Sequence, residues 1–410
     1  MPTKANVVIG QSGGPTAVIN ASLVGAIEEL HKHDAFDRLL GAKHGVRGIV
    51  NEDFASLRGL AADQLEQIAR TPSAALGSTR DKPDDAYCQK IFKAFEKNNV
   101  QYFFYIGGND SADAARIISE MADQAKFPLR VYHIPKTIDN DLRTTDHCPG
   151  YGSAARFVAL ALMGDDLDNR SLKGVKVDVI MGRDAGWLTA ASALARTQED
   201  DGPHLIYVPE VDFSEDKFLA DVDRVYTKLG RCVIAVSEGI KTKGGDKSTL
   251  VAEKIATGGD VDSHGNKQLS GTGALGDYLG ELVKRKLGAP LQARTGGKLR
   301  VRADTFGYLQ RSFPTIISES DAAEARMCGR LAVQYALAAP EGLKSGSVAM
   351  RRVSEQPYKI EYFPTALTNV ARQTKSLPVE YVVNGCDLNE TFLKYARPLA
   401  GPLPVPGRIF

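Results

Sequence analysis

The chain has 410 residues, a formal net charge of +1, and is 25% charged and 43% hydrophobic. A near-neutral balance supplies no field that would draw it to nucleic acid or a membrane surface, and the apolar content suffices for two or three globular domains. Five scattered cysteines (Cys88, Cys148, Cys232, Cys328 and Cys386) form neither a CxxC pair nor zinc spacing; with no signal-peptide pattern at Met1–Ala5 and no apolar run of membrane-spanning length, a cytoplasmic location is expected.

Asn6 to Gly10 reads as a short buried strand running into Gln11-Ser12-Gly13-Gly14-Pro15-Thr16 and a helix from about Ala17 to Lys32. A strand, a glycine turn and a helix start make an anion site, because free N–H groups and the helix dipole face the turn. A tight turn with no ligand explains the stretch about as well, since it is neither GxGxxG nor Walker A. Gly41 to Val50 reads as a second strand and turn, and Gly77-Ser78-Thr79-Arg80 offers a guanidinium fork for phosphate oxygens. After an amphipathic helix at Ala86 to Asn98, the aromatic strand Gln101 to Ile106 ends in Gly107-Gly108-Asn109-Asp110-Ser111 and a helix to Gln124. That repeats the first strand-turn-helix pattern. Asp110 is either a helix cap or a carboxylate set beside a phosphate loop.

A buried strand, Phe127 to Ile134, then delivers Pro135-Lys136-Thr137-Ile138-Asp139-Asn140-Asp141-Leu142. If the segment is extended, Thr137, Asp139 and Asp141 share one side and Lys136 points away unless the chain turns. A cation, a hydroxyl and two carboxylates suit phosphoryl transfer; a solvated acidic turn is the plainer alternative. Further on, a helix spans Ser153 to Leu167. A strand at Val175 to Ile180 ends in Met181-Gly182-Arg183 and is followed by a helix at Leu188 to Thr197. Strands at Leu205 to Val208 and Arg231 to Val236 come next, the latter ending in Ser237-Glu238-Gly239. Lys241 to Gly273 reads as a mobile excursion, Leu275 to Leu287 as helix, Lys298 to Leu309 as strand, and Ala322 to Leu337 as helix. The stretch from Val348 onward reads as a peripheral cover. Strands alternate with helices throughout, so the class is α/β with parallel sheets.

Seven of these pieces, in order across roughly residues 6–330, resemble the 6-phosphofructokinase family: Ser12-Gly13-Gly14, Gly77–Arg80, Gly107–Ser111, Lys136–Asp141, Met181–Arg183, Glu238-Gly239 and Gly307-Tyr308-Leu309-Gln310-Arg311. The resemblance implies two Rossmann-like three-layer domains with mainly parallel sheets and the active site in the cleft between them. The expected division is 1–141 plus about 312–345 for the donor domain, 142–311 for the sugar-phosphate domain, and an extension of about 346–410 packed on the first domain. It implies Asp139 as the base on the sugar 1-hydroxyl, with Lys136, Thr137 and Asp110 also catalytic. Gly13, Arg80 and Gly108 match donor-phosphate contacts. Thr137, Asp139, Met181, Gly182, Arg183, Glu238, Tyr308 and Arg311 match the fructose 6-phosphate pocket, and Asn109 and Asp141 the metal site for Mg²⁺.

The ATP-using branch of the family has glycine at the positions of Asp110 and Lys136, so this chain looks like the pyrophosphate-using branch. Two like charges ~4 Å apart at an effective dielectric of ~20 repel by about 4 kcal/mol, enough for Asp110 to exclude a nucleotide α-phosphate. The remaining alternatives are an ATP-dependent 6-phosphofructokinase and a catalytically inactive, sugar-phosphate-binding regulatory subunit. The resemblance further implies a homodimer and leaves room for sedoheptulose 7-phosphate as a second acceptor. Ala21 to Leu30 has no Lys or Arg, so little nucleotide regulation is expected. Two departures stand out: Asn109 occupies the place of a usual metal-binding aspartate, and Gly174 falls where ATP-using members supply an arginine to the neighbouring subunit, with Lys173 or Lys176 as the nearest replacements.

Overall fold

The structure, a computed structural model, describes residues 4–242, 250, 273–372 and 374–409. It comprises two compact units, Met1–Ser153 with Arg311–Lys375, and Ala154–Gln310 with Ser376–Phe410.

The first unit is built on a seven-stranded sheet, formed by β1 (Ala5–Gln11), β2 (Phe36–Ala42), β3 (Phe54–Ser56), β4 (Val100–Gly107), β5 (Arg130–Pro135), β10 (Gly346–Glu355) and β11 (Tyr358–Thr365) in the order β11-β10-β5-β4-β1-β2-β3. All neighbours are parallel except β2 with β3 and β10 with β11. The central strands are apolar on both faces because helices cover both. Val7, Ile9, Phe104, Ile106, Tyr132 and Ile134 face α1 (Ile19–Leu30) and the helix Glu319–Ala338. Val8, Phe103, Tyr105 and Val131 face the other way, onto α4 (Asp85–Lys97) and α5 (Asn109–Gln124). The period-2 alternation of a strand thus sorts one sequence into two cores. Where α1 crosses the helix Glu319–Ala338, a Cβ on Gly25 would lie 1.9 Å from the Arg326 carbonyl oxygen and one on Gly329 2.0 Å from that of Ser22. The two backbones touch, which only glycine allows.

The second unit carries a four-stranded parallel sheet, ordered β7-β8-β6-β9, from β6 (Val175–Ile180), β7 (Leu205–Tyr207), β8 (Cys232–Ser237) and β9 (Val301–Thr305). Val175, Val177 and Val179 pack with Phe218, Val222, Leu279 and Val283 of the helices Glu215–Leu229 and Ala274–Thr295. The fold is α/β with mainly parallel sheets.

Some boundaries differ from the sequence reading. Residues after 346 are not one cover over the first unit: β10 and β11 extend its sheet beside β5, and Ser376–Phe410 belongs to the second unit. The alternating, partly charged pattern of β10 and β11 is that of an edge hairpin exposed on one face, weaker than a buried strand's apolar run. The expected helix at Leu188 to Thr197 is one turn, Trp187–Ala190, followed by a 3₁₀ stretch, Ala191–Ala195. The expected excursion Lys241 to Gly273 lies almost wholly outside the described residues. No helix among the described residues is long and apolar enough to cross a membrane.

One buried network ties the sheet edge to the loop after β5. His147, 1% exposed, lies 2.8 Å from Asp146 Oδ1 through Nδ1 and 2.6 Å from Glu324 Oε2 through Nε2. Tyr358 donates to the other Glu324 oxygen at 2.7 Å. Burial opposes the imidazolium, but its hydrogen bonds to the Asp146 and Glu324 carboxylates outweigh it and raise the His147 pKa from 6.5 to about 9. A raised histidine pKa adds stability that is complete below the unfolded value and is lost as pH rises through the folded value. Urea unfolding should therefore show stability falling between pH 6.5 and about 9. His147→Gln should flatten that window and cost about 3 kcal/mol at pH 6; a slope that persists in the variant would sink this assignment.

Candidate functional site

In the first unit the glycine turn after β1, the segment after α3 (Ala62–Arg70), the start of α5 and the segment after β5 converge at the carboxyl edge of the sheet. Gly13 is left-handed, with φ 76°, and its N–H donates to Thr79 O at 3.0 Å. Ser78 Oγ donates back to Gly13 O at 2.6 Å, so Gly77–Arg80 is stitched to the glycine loop. Gly108 caps α5, and Gly107 O accepts from Lys136 N and lies beside His133 Nε2, each at 2.9 Å. His133 is fully buried and its Nδ1 meets Ser347 Oγ at 2.8 Å, which makes β10 a brace for the second glycine turn.

Lys136 is the centre. Its side chain is buried, 3% exposed, and Nζ donates to Gly14 O. Burial, then Arg311, push its pKa down, Asp139 and Asp141 push it up, and Arg80 pushes it down again; the outcome is about 8. The segment beyond it is not extended. Thr137 N donates to Pro149 O at 3.1 Å, and Asp139 N donates to Thr137 Oγ1 at 3.1 Å. Asn140 is left-handed, with φ 55°, and its Oδ1 accepts from Cys148 N at 3.0 Å. This turn brings both aspartates within electrostatic reach of Lys136, which strict alternation would have turned away. Asp141 O accepts from Lys375 N at 2.7 Å, and Asp141 Oδ2 from Asn109 Nδ2 at 2.7 Å. Burial, then the charge of Asp139, raises the Asp141 pKa from 3.8 to about 7. Asn109 Oδ1 is buried with no hydrogen-bond partner among the described residues. Asp110 is exposed in the first turn of α5, and the Nζ of Lys82, whose side chain is also more than half exposed, stands 2.8 Å from its Oδ1.

In the second unit, Met181, Gly182 and Arg183 follow β6, and Glu238 follows β8. Ser237 Oγ donates to Gly182 O at 2.5 Å, and Gly182 N points at Glu238 Oε1, 3.5 Å away. Gln310 Oε1 accepts from Met181 N at 3.3 Å, while its amide donates to Gly307 O at 2.8 Å. Glu210 Oε1 holds the same loop by accepting from Gly186 N at 2.9 Å and Leu377 N at 2.8 Å. Met181, Gly182, Arg183 and Glu238 thus gather at one sheet edge, and Tyr308, 42% exposed, lies in the turn that Gln310 anchors.

One expectation is corrected, that for Lys176. Arg311 Nη1 lies 3.0 Å from where a Gly14 Cβ would stand, and its charge acts on Lys136. In the short helix Leu309–Ser312 successive residues point about 100° apart, and Gln310 takes the buried direction. Lys176 is no spare cation for a neighbouring sugar phosphate. Its ammonium stands among Asp165 at 3.4 Å, Asp178 at 3.8 Å and Asp304. Those three carboxylates form an acidic cluster with a cation already in it, in the second unit. Sequence reasoning missed His133, Lys82, Lys375 and Glu210; a histidine inside an apolar strand was the one visible signal among them.

The two loop glycines should differ on substitution. Gly13→Ala meets a left-handed backbone and should cost about 1–2 kcal/mol. Gly14→Ala meets only the mobile end of Arg311 and should cost under about 0.5 kcal/mol. Denaturant midpoints decide it; equal costs would contradict the assigned loop geometry.

The family model described as Phosphofructokinase matches residues 6–336. The chain is 51% identical over 399 residues to a pyrophosphate–fructose 6-phosphate 1-phosphotransferase of Rhodospirillum rubrum, covering 97% of this chain and 95% of that protein. It is 36% identical over 407 residues to the protein of the same name from Xanthomonas campestris pv. campestris, covering 97% and 92%. Among solved structures it resembles a pyrophosphate-dependent phosphofructokinase from Marinobacter aquaeolei, with a TM-score of 0.82, 31% identity, and coverage of 98% of this chain and 93% of that one. A family model matching residues 6–336, with a 51% identical relative covered almost end to end, shows that the chain belongs to the phosphofructokinase family.

Proposed function

We propose that the chain transfers a phosphoryl group reversibly from pyrophosphate to the 1-hydroxyl of fructose 6-phosphate, giving fructose 1,6-bisphosphate and phosphate in glycolysis and gluconeogenesis. The observation that carries this reading is the buried Lys136 ammonium on the Gly13-Gly14 turn, with Asp139 and Asp141 on the same segment. The names of the relatives at 51% and 36% identity support it.

Asp139 takes the proton from the 1-hydroxyl, whose oxygen forms a bond to the nearer phosphorus. The bridging P–O bond breaks and its electron pair leaves with inorganic phosphate. An ordinary aspartate is a weak base toward an alcohol, so most of the acceleration comes from alignment and charge stabilisation. Lys136 supplies a fixed cation at the transferring group, with Arg80 and Arg311 beside it. Thr137 orients the acceptor, and Gly13 and Gly108 admit phosphate close to backbone. Met181, Gly182, Arg183, Glu238, Tyr308 and Arg311 hold the sugar phosphate.

A divalent cation fits the donor loop. Among the described residues Asn109 Oδ1 is buried without a partner beside Asp141, whose pKa burial and then the charge of Asp139 raise to about 7. Hard oxygen donors of this kind suit Mg²⁺, with Asn109 and Asp141 as its protein ligands. When bound it neutralises phosphate charge. Asn109 thus serves where a second carboxylate would only add to the repulsion already felt by Asp141.

The reading extends to a homodimer in the cytoplasm with little nucleotide regulation, and to sedoheptulose 7-phosphate as a second acceptor. On regulation, α1 carries no Lys or Arg, and Arg326 and Arg330 of the neighbouring helix are engaged by Glu28.

The deciding assay is fructose 1,6-bisphosphate formation from fructose 6-phosphate and Mg²⁺ with pyrophosphate or ATP as donor. Turnover with pyrophosphate alone is expected; turnover with ATP alone overturns the donor assignment. Asp139→Asn should lower kcat about 10²–10⁴-fold with small changes in KM. Lys136 must be charged to act, so kcat/KM for pyrophosphate should fall as pH rises through about 8. Lys136→Arg should move that limb to higher pH; an unmoved limb assigns it to another group.

A further inference from the structure

We infer that Lys82 is a donor-specificity residue. Its ammonium, held against Asp110 at the first turn of α5, cancels that carboxylate toward a two-phosphate donor and closes the place a third phosphate would need. The inference rests on the pyrophosphate reading above and adds a residue that reading does not use.

Asp110 lies where a helix N-terminus favours negative charge, and a phosphate is favoured there for the same reason. The two compete. A bare carboxylate would repel the second phosphate of pyrophosphate as well as the third of a nucleotide, so it would exclude the intended donor along with the unwanted one. A cation on the carboxylate removes the first penalty and leaves a bulky ion pair as the barrier to longer donors.

Lys82 is built for that place. Its ammonium is 2.8 Å from Asp110 Oδ1. Its backbone is fixed on both sides. Asp81 accepts from Arg47 at 2.7 Å and 3.1 Å and from Tyr87 at 2.9 Å, and its N–H donates to Thr79 Oγ1 at 3.1 Å. Pro83 follows Lys82, which favours extended backbone at the lysine, and Asp84 caps α4 by accepting from Tyr87 N at 2.8 Å. In extended chain Arg80 and Lys82 share one side while Asp81 is anchored on the other. The same stretch is stitched to Gly13 through Thr79 and Ser78. Two cations are thus presented from one clamped segment, Arg80 with its charge acting on Lys136 and Lys82 meeting Asp110.

The test is a double-mutant cycle on the full chain: Lys82→Ala, Asp110→Asn and both, read as KM for pyrophosphate, kcat, and the calorimetric Kd for imidodiphosphate, which is not hydrolysed. Lys82→Ala should raise KM and Kd roughly tenfold, the scale of one unit charge acting on a multiply charged anion near a protein surface, with kcat within about twofold. In the Asp110→Asn background the same change should move both by less than about twofold. Lys82→Arg should restore binding. An equal loss in both backgrounds would mean that Lys82 touches the donor itself, and no loss in either would reduce it to a surface ion pair; each overturns the inference. The calorimetric arm needs no turnover, so it reads the Lys82–Asp110 coupling separately from the donor assay, where the pyrophosphate reading itself stands or falls.

Discussion

A buried ammonium governs this molecule. Lys136 has lost its water, and what replaces it is a backbone carbonyl, two carboxylates at a remove, and two guanidinium groups that work against it. Removing a charge from water costs several kcal/mol, and neither the protein's neutral dipoles nor its distant carboxylates repay that in full. The residual cost appears as a lysine whose proton is easily lost. In the proposed function, pyrophosphate would supply the missing counter-charge. The same imbalance therefore destabilises the empty site and strengthens the occupied one, which is how a fixed cation differs from a flexible surface lysine that must be ordered by its ligand.

The rest of the first unit keeps that charge in place. Lys136 N and His133 grip the same carbonyl of the second glycine turn, and Ser78 and Thr79 grip the first. Beyond the lysine, the chain turns at left-handed Asn140, whose side chain is captured by Cys148 N. A segment with this many backbone partners has little freedom, so its aspartates meet a substrate without first being ordered. Asn109 fits the same logic: it supports Asp141 with a donor and offers an oxygen without adding a charge.

Much of this was legible in the residues themselves. Gly-Gly turns between strand and helix, a lysine followed by Thr-Ile-Asp-Asn-Asp, and strand-helix alternation are local patterns, and local patterns survive without coordinates. What escaped was set by partners distant in sequence. Lys82 meets a carboxylate 28 positions on, by the numbering of the pair (110 − 82). Lys375 reaches Asp141 from the far end of the chain. The side-by-side reading of Thr137, Asp139 and Asp141 assumed an extended strand, which the turn at Asn140 replaces. β10 and β11 read as periphery because an edge hairpin has only one apolar face.

That hairpin has a consequence for how the protein is made. Without β10, β5 would be an edge strand and His133 would lack Ser347, and until the residues beyond β11 are made the backbone of Asp141 lacks Lys375. Ribosomes deliver the amino-terminal loops first and these braces last. A nascent chain that stops short of β10 holds the Lys136–Asp141 motif without the hydrogen bonds that stiffen its surroundings, so rigidity arrives well after the motif itself.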